Sequence, residues 1–148
     1  MERTLVLIKP DGVQRQLVGE ILSRFERKGL KIAGMKFIKM SQDLAERHYA
    51  VHKGKSFYND LVSFITSGPV VAMVLEGRMA VKQTRNLMGA TRPEESTPGS
   101  VRGDLAIFTG QNLVHGSDSD ENARAEIANF FNEGELVSYE LANKDWIG

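Results

Sequence analysis

Two stretches of this sequence present no polar face. Leu5–Ile8, entered through Thr4, and Val70–Leu75 are apolar at every position. A strand of alternating pattern can lie with one side in water, whereas an unbroken apolar run has to be covered on both sides. Both runs are shorter than an ordinary core helix. The first is closed by Lys9-Pro10-Asp11-Gly12, which reads as a turn. The pair predicts two central strands of one sheet, and everything else must be arranged around them.

The intervening segments read as follows. Val18, Ile21, Leu22 and Phe25 recur at i, i+3, i+4 and i+7, so Val18 to Lys28 is an amphipathic helix ended by Gly29. Leu30 to Met40 is a second strand, and lysines at 31, 36 and 39 on both its faces suit an edge. Ser41 caps a short helix through Ala50 that contains His48 and Tyr49. Phe57, Leu61, Phe64 and Ile65 mark another helix, stopped by Ser67-Gly68-Pro69. A helix from about Met79 to Met88 is closed by Gly89. The long connection from Gly89 to Gly103 is of the kind that usually carries function. Leu105 to Phe108 is a short apolar run, and Leu136 to Leu141 a marginal last strand. The order contains a βαββαβ core. That core predicts an α/β chain of the α+β kind, ferredoxin-like, with a four-stranded antiparallel sheet and helices packed on a face. At 148 residues the expectation is a single domain, 1–148.

The chemistry concentrates between Gln111 and Glu126. His115 is one of three histidines, and Gly116 directly behind it allows close approach of backbone or ligand. Ser117-Asp118-Ser119-Asp120-Glu121 then reads as a helix start, with Asp118 and Glu121 spaced as an acidic capping box. Ala123, Ile127, Phe130 and Phe131 form the core-facing stripe of that helix. A histidine just before a helix N-terminus lies where anions are favoured. Glu126, about two turns in, is placed to fold back toward the imidazole. A carboxylate holding one ring nitrogen leaves the other free as nucleophile or base. The competing reading is an ordinary turn histidine before a capped helix.

Composition narrows the choices. Nineteen Lys and Arg balance nineteen Asp and Glu, which removes the basic footprint of a dedicated nucleic-acid binder. No cysteine is present, so neither disulfides nor thiolate chemistry operate. Met1 leads straight into a strand-like run, and no apolar run reaches membrane-spanning length. The expected location is the cytoplasm. His52-Lys-Gly-Lys-Ser56 ends like a phosphate loop but has Tyr49 where the first glycine belongs, and no buried strand leads in. It reads as a basic loop.

N-L-V-H-G-S-D-S closely resembles the N-x-x-H-G-S-D signature of nucleoside diphosphate kinases. The likeness begins at T-L-V-L-I-K-P-D-G-V and runs through the last long helix. It implies transfer of the γ-phosphate of ATP to another nucleoside diphosphate by a ping-pong route. Under that resemblance His115 is the nucleophile through Nδ1, Glu126 fixes the other ring nitrogen, and Ser117 joins the network. Tyr49 is the phenol near the transferred phosphate, and Phe57 the ring on which the base stacks. Lys9, Arg85, Thr91 and Arg102 contact phosphates, and Asn112 with Lys9 the sugar hydroxyls. Mg²⁺ arrives on the nucleotide, without a direct protein cage. A homohexamer is favoured over a tetramer, with the edge strand as dimer surface and the Gly89–Thr109 loop at the trimer contact. Gln111 stands where Arg is common, Phe130 where Trp is, and Ser56 where Pro often precedes the stacking ring. These departures bear on assembly more than on chemistry.

Two other readings compete. A nucleotide-binding or phosphohistidine signalling module would keep the pocket and turn over poorly. A nucleic-acid binder would share the ferredoxin-like arrangement, but zero net charge and the absence of a paired aromatic platform oppose it.

Overall fold

A computed structural model describes Met1–Gly148. The two apolar runs lie in β1 (Glu2–Ile8) and β3 (Pro69–Gly77), which pair antiparallel from Glu2 opposite Gly77 to Ile8 opposite Val71. β2 (Lys31–Lys39) adds to the outer side of β3, and β4 (Val114–Gly116) to the outer side of β1. The sheet order is β2-β3-β1-β4, all antiparallel, the ferredoxin-like arrangement expected. β2 is an edge, as its lysines indicated.

Helices cover both faces of the sheet, not one. Leu5, Leu7, Ala72 and Val74 point into a cluster with α3 (Gln42–His48), α4 (Tyr58–Ile65) and α7 (Asp120–Phe130). Val6, Ile8, Val71, Met73 and Leu75 point the other way, against α2 (Val18–Lys28) and α5 (Ala80–Met88). This double cover is why the two strands are apolar throughout. Each fully buried Leu, Ile or Val contributes about 1.5–3 kcal/mol of transfer free energy. No helix is long and apolar enough to cross a membrane.

Three local expectations are corrected. Pro10-Asp11-Gly12 is not a turn but opens a short helix, α1 (Pro10–Gln14), with proline in the first turn, where its missing N–H costs nothing. The cap of α7 is Ser119, in extended conformation, whose Oγ accepts from Asn122 N at 3.0 Å. Asp118 lies one residue too early and accepts instead from the Asn122 side chain. In the short apolar run from Leu105, Leu105 ends α6 (Val101–Leu105), and Ile107 and Phe108 are exposed. Leu136–Leu141 forms no strand. Only Val137 N reaches β2, at Ala33 O, and the Tyr139 hydroxyl takes the next carbonyl, Ile32 O, so no ladder develops.

Candidate functional site

His115 stands in the middle of β4, opposite Leu7 of β1. Its Nε2 lies 2.6 Å from Glu126 Oε1, on the second turn of α7. Ser117 Oγ donates to the same oxygen at 3.1 Å and also accepts from Leu5 N. The carboxylate is thus tied to the sheet as well as to its own helix. With Glu126 accepting from Nε2–H, the ring is held in the tautomer whose lone pair sits on Nδ1. Nδ1 makes no hydrogen bond to the protein, and the side chain keeps 25% of its surface open.

Gly116 sets how closely β4 approaches α5. A Cβ there would lie 2.5 Å from Met88 Sδ. The close approach lets Arg85 Nη1 donate to Gly116 O at 3.1 Å, next to the histidine.

Three cations converge on this end of the sheet. Lys9 leaves β1 and donates from Nζ to Asn112 Oδ1 at 2.8 Å, and Asn112 Nδ2 donates to Thr91 O at 3.0 Å. Burial, then the neighbouring Arg102 guanidinium, lowers the Lys9 ammonium to about 8. Arg102 is buried and donates to the carbonyls of Gly89, Ala90, Asn112 and Val114. Those four bonds occupy four of its five N–H groups and leave one, on Nη2. Burial, then Arg85, lowers Arg102 to about 10, so it stays charged near neutrality. Lys9, Arg85 and Arg102 all donate to neutral oxygens, and none is in an ion pair.

Leu113, between Asn112 and His115, has a left-handed backbone with φ 73°, a strained state for a branched residue. Its surroundings hold it there. Lys9 N donates to Leu113 O at 2.8 Å, and Leu113 N donates to Asp11 Oδ2 at 3.1 Å. Arg102 grips the carbonyls on either side of it.

Tyr49 ends α3 and is buried. Burial, then Glu126, pushes its phenol up to about 12, so it remains a hydrogen-bond donor at neutral pH. Phe57, before α4, is 45% exposed, which excludes a core role. His52 lies 5.3 Å away from it, centroid to centroid, and Lys55 Nζ 5.7 Å above its ring. Thr91 is exposed on the loop after α5.

His115, Glu126 and Ser117 therefore meet directly, Tyr49 walls them through His48, and Lys9, Asn112 and Thr91 form a chain. Phe57 sits at the rim. Two contributors were not singled out from sequence. Asp11 was read as a turn residue, though it anchors Leu113. His48, in the sequence only one member of the short helix after Ser41, has its ring 4.6 Å from that of His115. A histidine immediately before Tyr49 was the available signal.

The model of the family described as nucleoside diphosphate kinase matches residues 2–136. A nucleoside diphosphate kinase of Thermomicrobium roseum is 58% identical over 147 residues, covering 99% of both chains. One of Archaeoglobus fulgidus is 55% identical, over 99% of this chain and 97% of that one. Among solved structures, a halophilic nucleoside diphosphate kinase of Halobacterium salinarum in complex with CDP superposes with a TM-score of 0.97. It is 50% identical, over 99% of this chain and 98% of that one.

Proposed function

The chain belongs to the nucleoside diphosphate kinase family and is an enzyme of that activity, and from this premise we propose that its phosphoryl transfer passes through a phosphohistidine on His115. The observation that carries this reading is the 2.6 Å contact of His115 Nε2 with Glu126, which leaves Nδ1 without a protein partner on a side chain that is 25% open. In the first half-reaction the Nδ1 lone pair attacks the γ-phosphorus of ATP. The bond from phosphorus to the β,γ-bridging oxygen breaks, and ADP leaves with that electron pair. In the second half a terminal β-phosphate oxygen of the acceptor diphosphate attacks the same phosphorus and the N–P bond breaks. The acceptors are nucleoside and deoxynucleoside diphosphates.

Phosphoryl transfer asks mostly for positioning and for cations around the moving group. Lys9, Arg85 and the free N–H of Arg102 supply the charge, with the Thr91 hydroxyl beside them. The Tyr49 phenol donates near the transferred group, and Ser117 keeps Glu126 in place. Lys9 and Asn112 are assigned to the sugar hydroxyls. Mg²⁺ prefers oxygen donors; Asp118 and Asp120 line the hollow that also contains Arg85, a set that fits an ion held mainly by the nucleotide's own phosphates. When bound, it neutralises phosphate charge.

We further assign the chain to one domain in the cytoplasm, assembled as a homohexamer. The exposed Met35 and Phe37 on edge strand β2 and the exposed Ile107 and Phe108 after α6 support assembly. A monomer in native mass spectrometry would refute it. Phe130, where the family often has Trp, packs against His48 at 5.5 Å, and Gln111 is exposed. Neither supplies a reacting group.

The test is intact mass. Incubation with Mg·ATP should add one phosphoryl group that is lost in acid, and lost also on adding GDP as GTP appears. ATP binding without any mass gain would replace this reading with a nucleotide sensor.

Phe57→Ala should weaken nucleotide binding by about 1–3 kcal/mol, some 5–150-fold in Kd, by calorimetry. An unchanged Kd would remove Phe57 from the site. Because Lys9 titrates near 8 in the free protein, nucleotide affinity should fall as pH rises from 7 to 9. In Lys9→Met the affinity should be lower and flat across that range. The sign for folding is opposite. The unfolded state keeps the Lys9 proton between about 8 and 10.5, so this group makes the native state more stable as pH rises through that window.

A further inference from the structure

His48 is the one histidine in the active-site wall that transfer does not use. Its ring is nine-tenths buried, and neither nitrogen has a hydrogen-bond partner. A neutral imidazole carries one N–H and one lone pair, and leaving either dry costs about 1–3 kcal/mol. Phenylalanine would fill the space between Tyr49 and Phe130 without that cost. The placement gives the nitrogens a target. The rings of His48 and His115 meet at 83°, with centroids 4.6 Å apart. One nitrogen of each, and one oxygen of Glu126, lie within 4.8 Å of one another. Two imidazoles and a carboxylate at that separation are a donor set for a borderline divalent ion of the zinc class.

We propose that His48, His115 and Glu126 bind a zinc-class cation, and that the bound ion arrests the enzyme by occupying its nucleophile. Zinc–nitrogen bonds of about 2.0–2.1 Å put tetrahedral ligands roughly 3.3 Å apart, so separations of up to 4.8 Å close by about 1.5 Å at most, while the 2.6 Å contact of His115 Nε2 with Glu126 opens by about 0.7 Å to admit the ion. His115 and Glu126 are 25% and 18% open to the cleft, which gives the ion its entry and leaves a fourth position for water. The proton now on His115 Nε2 moves to Nδ1 as Nε2 takes the metal. The protein's charge is unchanged, and the lone pair that would attack phosphorus becomes an N–H. Lys9, close enough to act on His48, tempers the affinity. Magnesium does not compete, because it avoids imidazole. The arrest rests on His115 being the nucleophile; the binding does not.

The experiment begins with Zn²⁺ alone, titrated without nucleotide into metal-free protein against a chromophoric chelator. One equivalent per chain is expected. His48→Phe keeps the aromatic packing and removes both nitrogens, and should weaken uptake by at least about tenfold. His52→Ala, at the only other histidine, should not. A measurement needing no variant accompanies these. Zinc-loaded protein should gain no phosphoryl mass from Mg·ATP until a zinc-selective chelator is added, and protein phosphorylated beforehand should take up no zinc at this site. No stoichiometric uptake, or uptake equal in His48→Phe, overturns the site. Undiminished phosphorylation of the zinc-loaded protein overturns the arrest. Failure of zinc-free protein to phosphorylate would defeat the phosphohistidine reading, while the titration would still decide the site.

Discussion

His115→Ala will reduce phosphoryl transfer by on the order of 10⁴-fold or more, with nucleotide affinity close to that of the unaltered protein. Removing the nucleophile from an enzyme that works through a covalent intermediate typically costs 10⁴–10⁶ in rate, roughly 5–8 kcal/mol. What remains reflects positioning of two nucleotides that the site was not built to hold together. The fold should tolerate the change. His115 is a partly exposed side chain in a three-residue edge strand, and its backbone pairing with Leu7 does not depend on the ring. The decisive measurements are steady-state transfer and intact mass on one preparation, with calorimetric nucleotide binding as the control. Transfer within tenfold of the unaltered enzyme would remove His115 as nucleophile.

Glu126→Ala should be the second largest loss, about 10²–10⁴-fold in kcat, and Glu126→Gln a smaller one of about 10–10². The two variants separate two jobs. Attack by Nδ1 leaves the imidazole positively charged, and the carboxylate at Nε2 stabilises that charge. Glutamine can still accept from Nε2–H and from Ser117 Oγ, so the tautomer survives while the charge is lost. Alanine removes both, and frees the ring to rotate. Nucleotide Kd should stay put in each case, because Glu126 reaches the nucleotide only through His115. Equal rates for the alanine and glutamine variants would mean that charge is the whole contribution.

Much of this site was legible because its signals are local. Leu5–Ile8 and Val70–Leu75 announced central strands, since no half-exposed strand is apolar on both sides. His115 and Glu126 lie eleven residues apart across one strand–helix junction, a distance that sequence spacing can judge. What escaped depends on contacts between distant parts of the chain. Asp11 reaches Leu113 across 102 residues, and nothing near either position signals it. The left-handed Leu113 could not be anticipated, because leucine does not favour that conformation and only its neighbours impose it. His48 escaped for a related reason: α3 shows little apolar periodicity because part of its buried face is polar. The α7 cap was misassigned by one residue, since Asp118 and Ser119 are equally able caps and only the backbone path distinguishes them.

The acceptors chosen by Lys9, Arg85 and Arg102 are amide and peptide oxygens, never carboxylates. Zero net charge over 148 residues therefore conceals a local positive field at one end of the sheet, from three cations that no carboxylate contacts directly. Such a field acts beyond contact distance, across a Debye length of about 8 Å at physiological salt. An approaching polyphosphate is drawn toward the mouth before any hydrogen bond forms. On the proposed assignment the same three side chains govern how often nucleotides arrive, and ionic strength becomes a control on encounter frequency as well as on affinity.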